Sequence, residues 1–480
     1  MFGRTFKISS VLAIAVVLWA VYFKNEDSNL LKITSISDSL LRIENKNLVG
    51  VGAAKPKVAV GYGACYDIFA NAVPLLKFDE MEGEPEHFDD VSTFAELIKS
   101  FAYYFRHGAA AERYMSNGSL FDELVAFAEK DPGARWEVGG NAPVMASRFL
   151  LEGCDVVLAA RTSPRLLGAL PEGLRAVGGA LDKDDVHLIL EYKADAQWGP
   201  FTAPRANRYI LHNDENNPMV SSLEPLGEVL KTFQPNLLVV SGLQMMDSYP
   251  FPAGVREARL AKIKEQMISQ KSSTMVHFEM ASYVEAKLMT DLTKEIIPYS
   301  DSLGMNEQEL VNLYHTLKYG NISVVADSNP RVASALDQMR NVFKIIRKMS
   351  VNIPNSRKLT RIHVHTLAYQ AIMTVHGSAW KKTMAAAAKA SLTAHRHVCG
   401  TPTILPSQVR LVMDDSFSTS AGGAGSSRVR LDPARPVSCW EEAEGERVLI
   451  CVAPVLVCTN ARQTAGAGDN ISAAGLVLQI

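Results

Sequence analysis

Residues 237–278 read LLVVSGLQMMDSYPFPAGVREARLAKIKEQMISQKSSTMVHF, and their order decides the fold. Leu237–Ser241 (LLVVS) is a nearly continuous apolar run of strand length, the pattern of a strand covered on both faces. A helical pattern rich in Lys, Glu, Arg, Leu and Ile follows from Val255 to Gln270, and a second apolar run, Met275–Phe278 (MVHF), closes the unit. The same alternation extends outward. Upstream lie Lys57–Gly61 (KVAVG), Cys154–Ala159 (CDVVLA) and His187–Tyr192 (HLILEY); downstream lie Ile322–Ala326 (ISVVA), the alanine-rich helical pattern Thr383–His395, and Val448–Val457 (VLICVAPVLV). Strands alternating with helices predict an α/β fold built on a doubly wound, mostly parallel sheet flanked by helices. The Ser/Gly-rich stretch Ser416–Ser427 reads as a flexible loop, and no internal repeat is present.

Composition narrows the class without touching the chemistry. The chain has 480 residues, 47% hydrophobic and 21% charged, which excludes a disordered, collagen-like or polytopic membrane protein. Its 49 basic and 51 acidic residues give a net charge of -2, so no large basic footprint for nucleic acid exists. Six cysteines are too few for a disulfide scaffold at this length.

The N-terminus differs from the rest. Ile8–Phe23 (ISSVLAIAVVLWAVYF) is an apolar run preceded by Arg4 and Lys7. It is short for a full span of roughly 20 residues but long enough for a signal-peptide core. Bulky Trp19, Tyr22 and Phe23 stand where a small-residue cleavage site would be. Residues 1–25 are therefore expected to be a signal peptide or signal anchor, followed by a polar stalk over 26–55. The basic residues before the apolar run favour a cytosolic N-terminus and a lumenal body in the endoplasmic reticulum, or secretion if the segment is cleaved. The membrane is expected to be touched only through this segment. In that compartment Asn117-Gly118-Ser119 and Asn321-Ile322-Ser323 are glycosylation acceptors, whereas Asn470-Ile471-Ser472 lies in a loop that must stay open to substrate. Cys399, Cys439, Cys451 and Cys458 cluster late in the chain, with their pairing open.

Chemistry concentrates at the C-terminus, where residues 464–476 read TAGAGDNISAAGL. Gly466 and Gly468 let backbone approach an anion, and Asp469 opens a helix whose free N–H groups favour negative charge. Asp469 is then either a base that deprotonates an attacking hydroxyl or a plain N-cap at a glycine turn. Residues 139–142 (GGNA) begin a helical run from Pro143 to Leu151, a second such approach. In GMNEQEL (304–310), Glu307 and Glu309 either hold Mg²⁺ through water or sit on a solvated helix start.

In shared order these motifs resemble the ADP-dependent glucokinases of the eukaryotic, membrane-associated kind, within the ribokinase-like superfamily. The resemblance runs from about residue 56 to 480 through GAAAER (108–113), VGGNA (138–142), HLILEY (187–192), APRANRYI (203–210) and SGLQMM (241–246). It continues through VHFEMAS (276–282), GMNEQEL (304–310), RIHVHTLAY (361–369) and TAGAGD (464–469). It implies a kinase domain over 56–480: a large ribokinase-like α/β domain with a smaller, discontinuous α/β lid built from the first half.

The resemblance also implies roles. Asp469 matches the base for the sugar 6-hydroxyl, with Gly466, Ala467 and Gly468 as the anion hole and Arg208 reaching the transferring phosphate. Glu279 and Glu309 match carboxylates that organise one Mg²⁺, and His365 a nucleotide-side residue. Asp67, Glu112, Gly140, Asn141 and His187 match glucose contacts. A glutamate at 112 repels the phosphate of fructose 6-phosphate, which favours glucose. The partners implied are glucose as acceptor and ADP as donor, and the chain is expected to be a monomer. One position departs: in GYGACYD, Gly63 stands where the family carries asparagine, so a sugar contact is lost or replaced by water. Two other readings remain: an ATP-dependent sugar kinase of the ribokinase type, and a catalytically weak lumenal nucleotide- or sugar-binding protein.

Overall fold

A computed structural model of the protein describes residues 28–47, 54–323, 327, 329–422, 425–443 and 445–480. A ten-stranded sheet carries the fold, in the order Ser438–Glu442, Val448–Pro454, Tyr369–Val375, Arg361–His365, Ser302–Asn306, Met275–Glu279, Leu237–Val240, Lys57–Gly61, Asp155–Ala159, Arg175–Val177. From Arg361–His365 to Arg175–Val177 every pairing is parallel. The other three strands join antiparallel, beginning with the hairpin between Arg361–His365 and Tyr369–Val375.

Side chains alternate across this sheet, yet both faces are dry. Val58, Val60, Val156, Leu158, Leu237 and Val239 pack into one core, and Ala59, Val157, Leu238, Val240, Val276 and Phe278 into the other. That double burial is why these strands read as continuous apolar runs. The predicted helix at 255–270 is present as Val255–Ile268, and the alanine-rich one as Thr383–Cys399.

A second sheet of five strands has the order Ala111–Tyr114, Asn207–His212, His187–Tyr192, Cys65–Asn71, Arg135–Gly139. HLILEY belongs here rather than to the large sheet. One face packs Ile68, Leu188, Leu190, Tyr209 and Leu211 against Phe101, Phe105 and Trp198. The opposite face carries Phe69, Ile189 and Ile210, with Ala465 of the C-terminal loop against it. By the two-residue period of a strand, Asp67, His187 and Arg208 share that second face. This smaller sheet is the unit from which a lid is expected.

Three expectations are corrected. The stretch read as a polar stalk is helical over 28–47 and buries Ile33, Ile36 and Leu40 in the main core. Their i, i+3, i+7 spacing places them on one helix face, and Leu41 and Ile43 pack beside them. The loop read from Ser416 is closed by antiparallel pairing of Ser416–Ser418 with Arg428–Arg430. Val448–Val457 is not one strand, because Val455 N–H turns to the carbonyl of Ala368 and pairing resumes at Val457–Cys458. The apolar run Ile8–Phe23 and most of ISVVA lie outside the described residues; Ile322 and Ser323 are irregular. Among the described residues no helix is long and apolar enough to cross a membrane.

Candidate active site

The two sheets face each other across a cleft of about 610 Å³ whose lining includes every one of the predicted site residues. Two helix N-termini open into it. Asn141–Leu151 begins after Gly140 at φ 89°, and Ala467–Val477 after Gly466 at φ 67°. Both left-handed positions suit glycine, and neither cap supplies a side-chain acceptor, so the first-turn N–H groups remain open to an anion. A Cβ on Gly468 would stand 2.9 Å from the His365 ring, so this turn admits no larger residue without moving it.

Asp469 lies in the first turn of the second helix and reaches across to the first. Asn141 donates from Nδ2 to Asp469 Oδ1 at 2.8 Å, and Gln244 donates to Asn141 Oδ1 at 2.5 Å. Burial, and then the negative charge of Glu279, push the Asp469 carboxyl up to about 7, while Asn141, His365 and Arg208 pull it down. A base poised near neutrality is matched to proton abstraction from a hydroxyl. An N-cap role is excluded, because Gly466 is the cap.

Glu279, Glu309 and His365 complete this end. His277 Nε2 meets Glu279 Oε2 at 2.7 Å, and His365 Nε2 stands 3.6 Å from Glu279 Oε1. Burial opposes ionisation of Glu279, but the two histidines hold its carboxyl well below the usual range. Glu309 is held as part of a capping box: Asn306 N–H donates to one oxygen and Asn306 Nδ2 to the other, each at 2.8 Å. Burial raises its carboxyl to about 7, and the charges of Glu279 and Asp469 add to the rise. Glu307 and Glu309 are 8% and 7% exposed, so the helix start is not solvated; Arg205 pairs with Glu307 at 3.1 Å. His365 sits with these carboxylates against the Gly466–Asp469 turn. Arg208 also lines the cleft, its buried Nε without a hydrogen-bond partner. Buried, mutually repelling carboxylate oxygens fit a hard divalent cation such as Mg²⁺.

The residues expected on the sugar side form a second cluster. Asp67 is buried with Oδ1 unpartnered, and burial raises its carboxyl to about 6. Its side chain lies over Gly139, where any Cβ would collide with it. His187 Nε2 is 3.0 Å from Asp214 Oδ1, and Nδ1 is 3.8 Å from Glu112 Oε1. Burial works against its charge, but Asp214, then Asp67 and Glu112, push it up to about 10. Gly63 has φ 80°, and a Cβ there would meet Asn217 Oδ1 at 2.5 Å. Asn217 uses that space to bond the backbone of Ala64 and to donate to Asp214 Oδ2 at 2.7 Å.

Sequence reading missed Asp214 and Asn217, and gave no role of their own to Gln244 in SGLQMM or Gly304 in GMNEQEL. The first two lie in HNDENNP (212–218), a burst of polar residues directly after an apolar strand, which resembles an ordinary loop. The cysteines pair as Cys399–Cys458 and Cys439–Cys451. Asn470 is buried and hydrogen-bonded through both side-chain atoms, to Arg148 and to Gly466 O, as a loop barred to a glycan requires.

A doubly wound sheet with a smaller sheet across its cleft, and a half-buried aspartate at a glycine-capped helix start, is the architecture of a ribokinase-like protein. The chain belongs to the ADP-specific phosphofructokinase/glucokinase family, whose conserved region matches residues 56–478. It is 34% identical over 425 residues to an ADP-dependent glucokinase of Bos taurus, covering 88% of this chain and 84% of the relative. It is 28% identical to a probable ADP-dependent glucokinase of Caenorhabditis elegans, covering 98% and 93%. A solved ADP-dependent kinase in complex with fructose-6-phosphate and ADPbetaS shares the fold at a TM-score of 0.63 and 17% identity, covering 93% of this chain and 97% of that one.

Proposed function

We propose that this protein transfers the β-phosphoryl group of Mg·ADP to the 6-hydroxyl of glucose, giving glucose 6-phosphate and AMP. The observation that carries the reading is Asp469, half-buried, raised to about 7 and set in the first turn of one glycine-capped helix against the start of the other. Asp67, Glu112, His187 and Asn141 offer polar atoms for the sugar hydroxyls, and each left unpaired there would cost about 1–3 kcal/mol. Asp469 takes the proton of the attacking hydroxyl as its oxygen bonds to the β-phosphorus and the bond to the bridging oxygen breaks, releasing AMP. Backbone N–H groups at 466–469 and 140–142, with the guanidinium of Arg208, face the charge that develops on the phosphoryl oxygens. Glu279 and Glu309 would hold Mg²⁺ through water, and the ion would neutralise phosphate charge. Closure of the lid sheet excludes water. Family membership supports ADP as donor.

Residues 1–25 anchor the protein in the endoplasmic reticulum membrane, with a monomeric catalytic domain in the lumen. Two disulfides suit an oxidising compartment, and Asn117 and Asn321, both exposed, are its glycan sites. The test is AMP formation by the full-length protein with glucose and Mg²⁺, comparing ADP with ATP. AMP that requires both glucose and ADP is expected. Turnover with ATP alone would replace this reading with the ribokinase-type one, and nucleotide binding without AMP would make the protein a binder.

A further inference from the structure

The helix at 28–47 lies outside the region that matches the family, yet it presents an anomaly to the catalytic domain. Ile33, Ile36 and Leu40 form its buried stripe, and the next residue on that face is Glu44, only 4% exposed. Apolar packing alone would be served by a leucine; a buried carboxylate costs stability unless it is fully paired. Glu44 is fully paired. Arg396 donates to both of its oxygens at 2.9 and 3.0 Å, and Lys389 donates to Oε1 at 3.0 Å.

Lys389 does not stop there. It is itself 3% exposed and lies 2.7 Å from Glu152 Oε2, at the end of the helix that begins with Asn141. Glu152 Oε1 is 3.7 Å from Arg148 Nη1, and Arg148 Nε donates to Asn470 Oδ1 at 2.9 Å. Asn470 donates from its backbone and from Nδ2 to the carbonyl of Gly466, at 3.1 and 2.9 Å, closing the turn that holds Asp469. A continuous polar chain therefore links the N-terminal helix to the catalytic loop and to both helices whose N-termini face the cleft.

We propose that Glu44 is a positioning residue for the reaction. Through Lys389, Glu152 and Arg148 it fixes Asn470 and hence the Gly466–Asp469 turn, which makes the helix at 28–47 part of the catalytic unit. The consequence for turnover rests on the phosphoryl-transfer reading above. A small displacement of a general base and its anion hole lowers turnover far more than it lowers substrate affinity.

The test is a double-mutant cycle in the full-length protein with Glu44→Gln, Asn470→Ala and the pair. Glu44→Gln is expected to lower kcat roughly tenfold while the KM for glucose changes less than about twofold. Asn470→Ala is expected to lower kcat as well, and the double variant to fall little below the worse single one. A Glu44→Gln enzyme within twofold of wild-type kcat, or losses that simply multiply, overturns the proposal. Should Glu44→Gln lack a cooperative thermal transition, Glu152→Gln takes its place in the cycle. ADP affinity measured by calorimetry on the same variants reads the turn without the sugar. If wild type makes no AMP from ADP and glucose, the reaction assignment fails, and non-additive losses in ADP affinity still decide whether the brace exists.

Discussion

Asn141 and Asp469, 328 residues apart in sequence, meet at 2.8 Å with the amide donating to the carboxylate. Gln244, held to the other end of that amide, fixes which way it points. The carboxylate at one helix start is thus oriented by the first residue of the other, and the same amide lines the cleft.

Asn141 favours the ionised form of Asp469, because it donates to the charge. Asn141→Ala is expected to push the carboxyl above its present value of about 7 and move the acid limb of kcat/KM to higher pH. At pH 7 the loss should be about 10- to 100-fold, part of it recovered at pH 8.5. A pH–rate profile checks this; a limb that does not move would show that Asn141 acts on the sugar alone.

The raised carboxyls also make a stability prediction. Asp67, Asp469 and Glu309 ionise in the fold at about 6, 7 and 7, well above their ordinary values. Between their ordinary values of about 4 and these raised ones the folded state holds protons that the unfolded chain has lost, so stability falls as pH rises from about 4 to about 7. His187, raised to about 10, contributes in the same direction above its ordinary value. The ligand-free protein should melt lower at pH 8 than at pH 6. Asp469→Asn should raise its stability at pH 8 by on the order of 2 kcal/mol while lowering kcat about 10²- to 10⁴-fold. Thermal scans at the two pH values check both statements, and equal melting would contradict them.

The parallel core was legible because its strands are dry on both faces: LLVVS and KVAVG are apolar runs of strand length, rich in valine and alternating with helical patterns. The lid was legible only in outline, since HLILEY looks the same while one of its faces lines a cleft. TAGAGD and GGNA announced their glycines, and the structure turns both into helix caps. Asp214 and Asn217 were hidden because their importance lies in what they touch, His187 and the space above Gly63, which no local pattern encodes. The helix at 28–47 carries a helical apolar spacing at Ile33, Ile36 and Leu40 that was passed over because the stretch after the N-terminal apolar run was read as a polar stalk.

Glu112 supplies the charge facing the sugar pocket, 3.8 Å from His187. Glu112→Gln keeps the shape and removes the repulsion toward a phosphorylated sugar. The KM for glucose should rise about 10-fold as a charged hydrogen-bond partner is lost. Fructose 6-phosphate, which the Glu112 carboxylate is expected to exclude, should become a competitive inhibitor. Inhibition assays at fixed glucose measure it, and an unchanged response would remove Glu112 from discrimination.

Gly304 tests the acidic end of the site. It pairs with Glu279 across adjacent parallel strands, and a Cβ there would collide with the Glu279 carboxylate and lie 2.9 Å from Ser472 Oγ. The backbone of Gly304 is an ordinary strand conformation, so the constraint is space alone. Gly304→Ala must therefore rotate Glu279 off His277, breaking a 2.7 Å contact between two fully buried groups. The global cost should be modest, about 1–3 kcal/mol, as for other overpacked cores. Function should suffer more: kcat down about 100-fold and half-saturation by Mg²⁺ shifted upward, since the carboxylate that would organise the ion no longer points at it. Ser472→Ala, which relieves the second contact but not the first, should leave the Gly304→Ala defect largely in place. If that second change restores turnover, the crowding of Ser472 is what matters, and Glu279 is not the group that organises the phosphates.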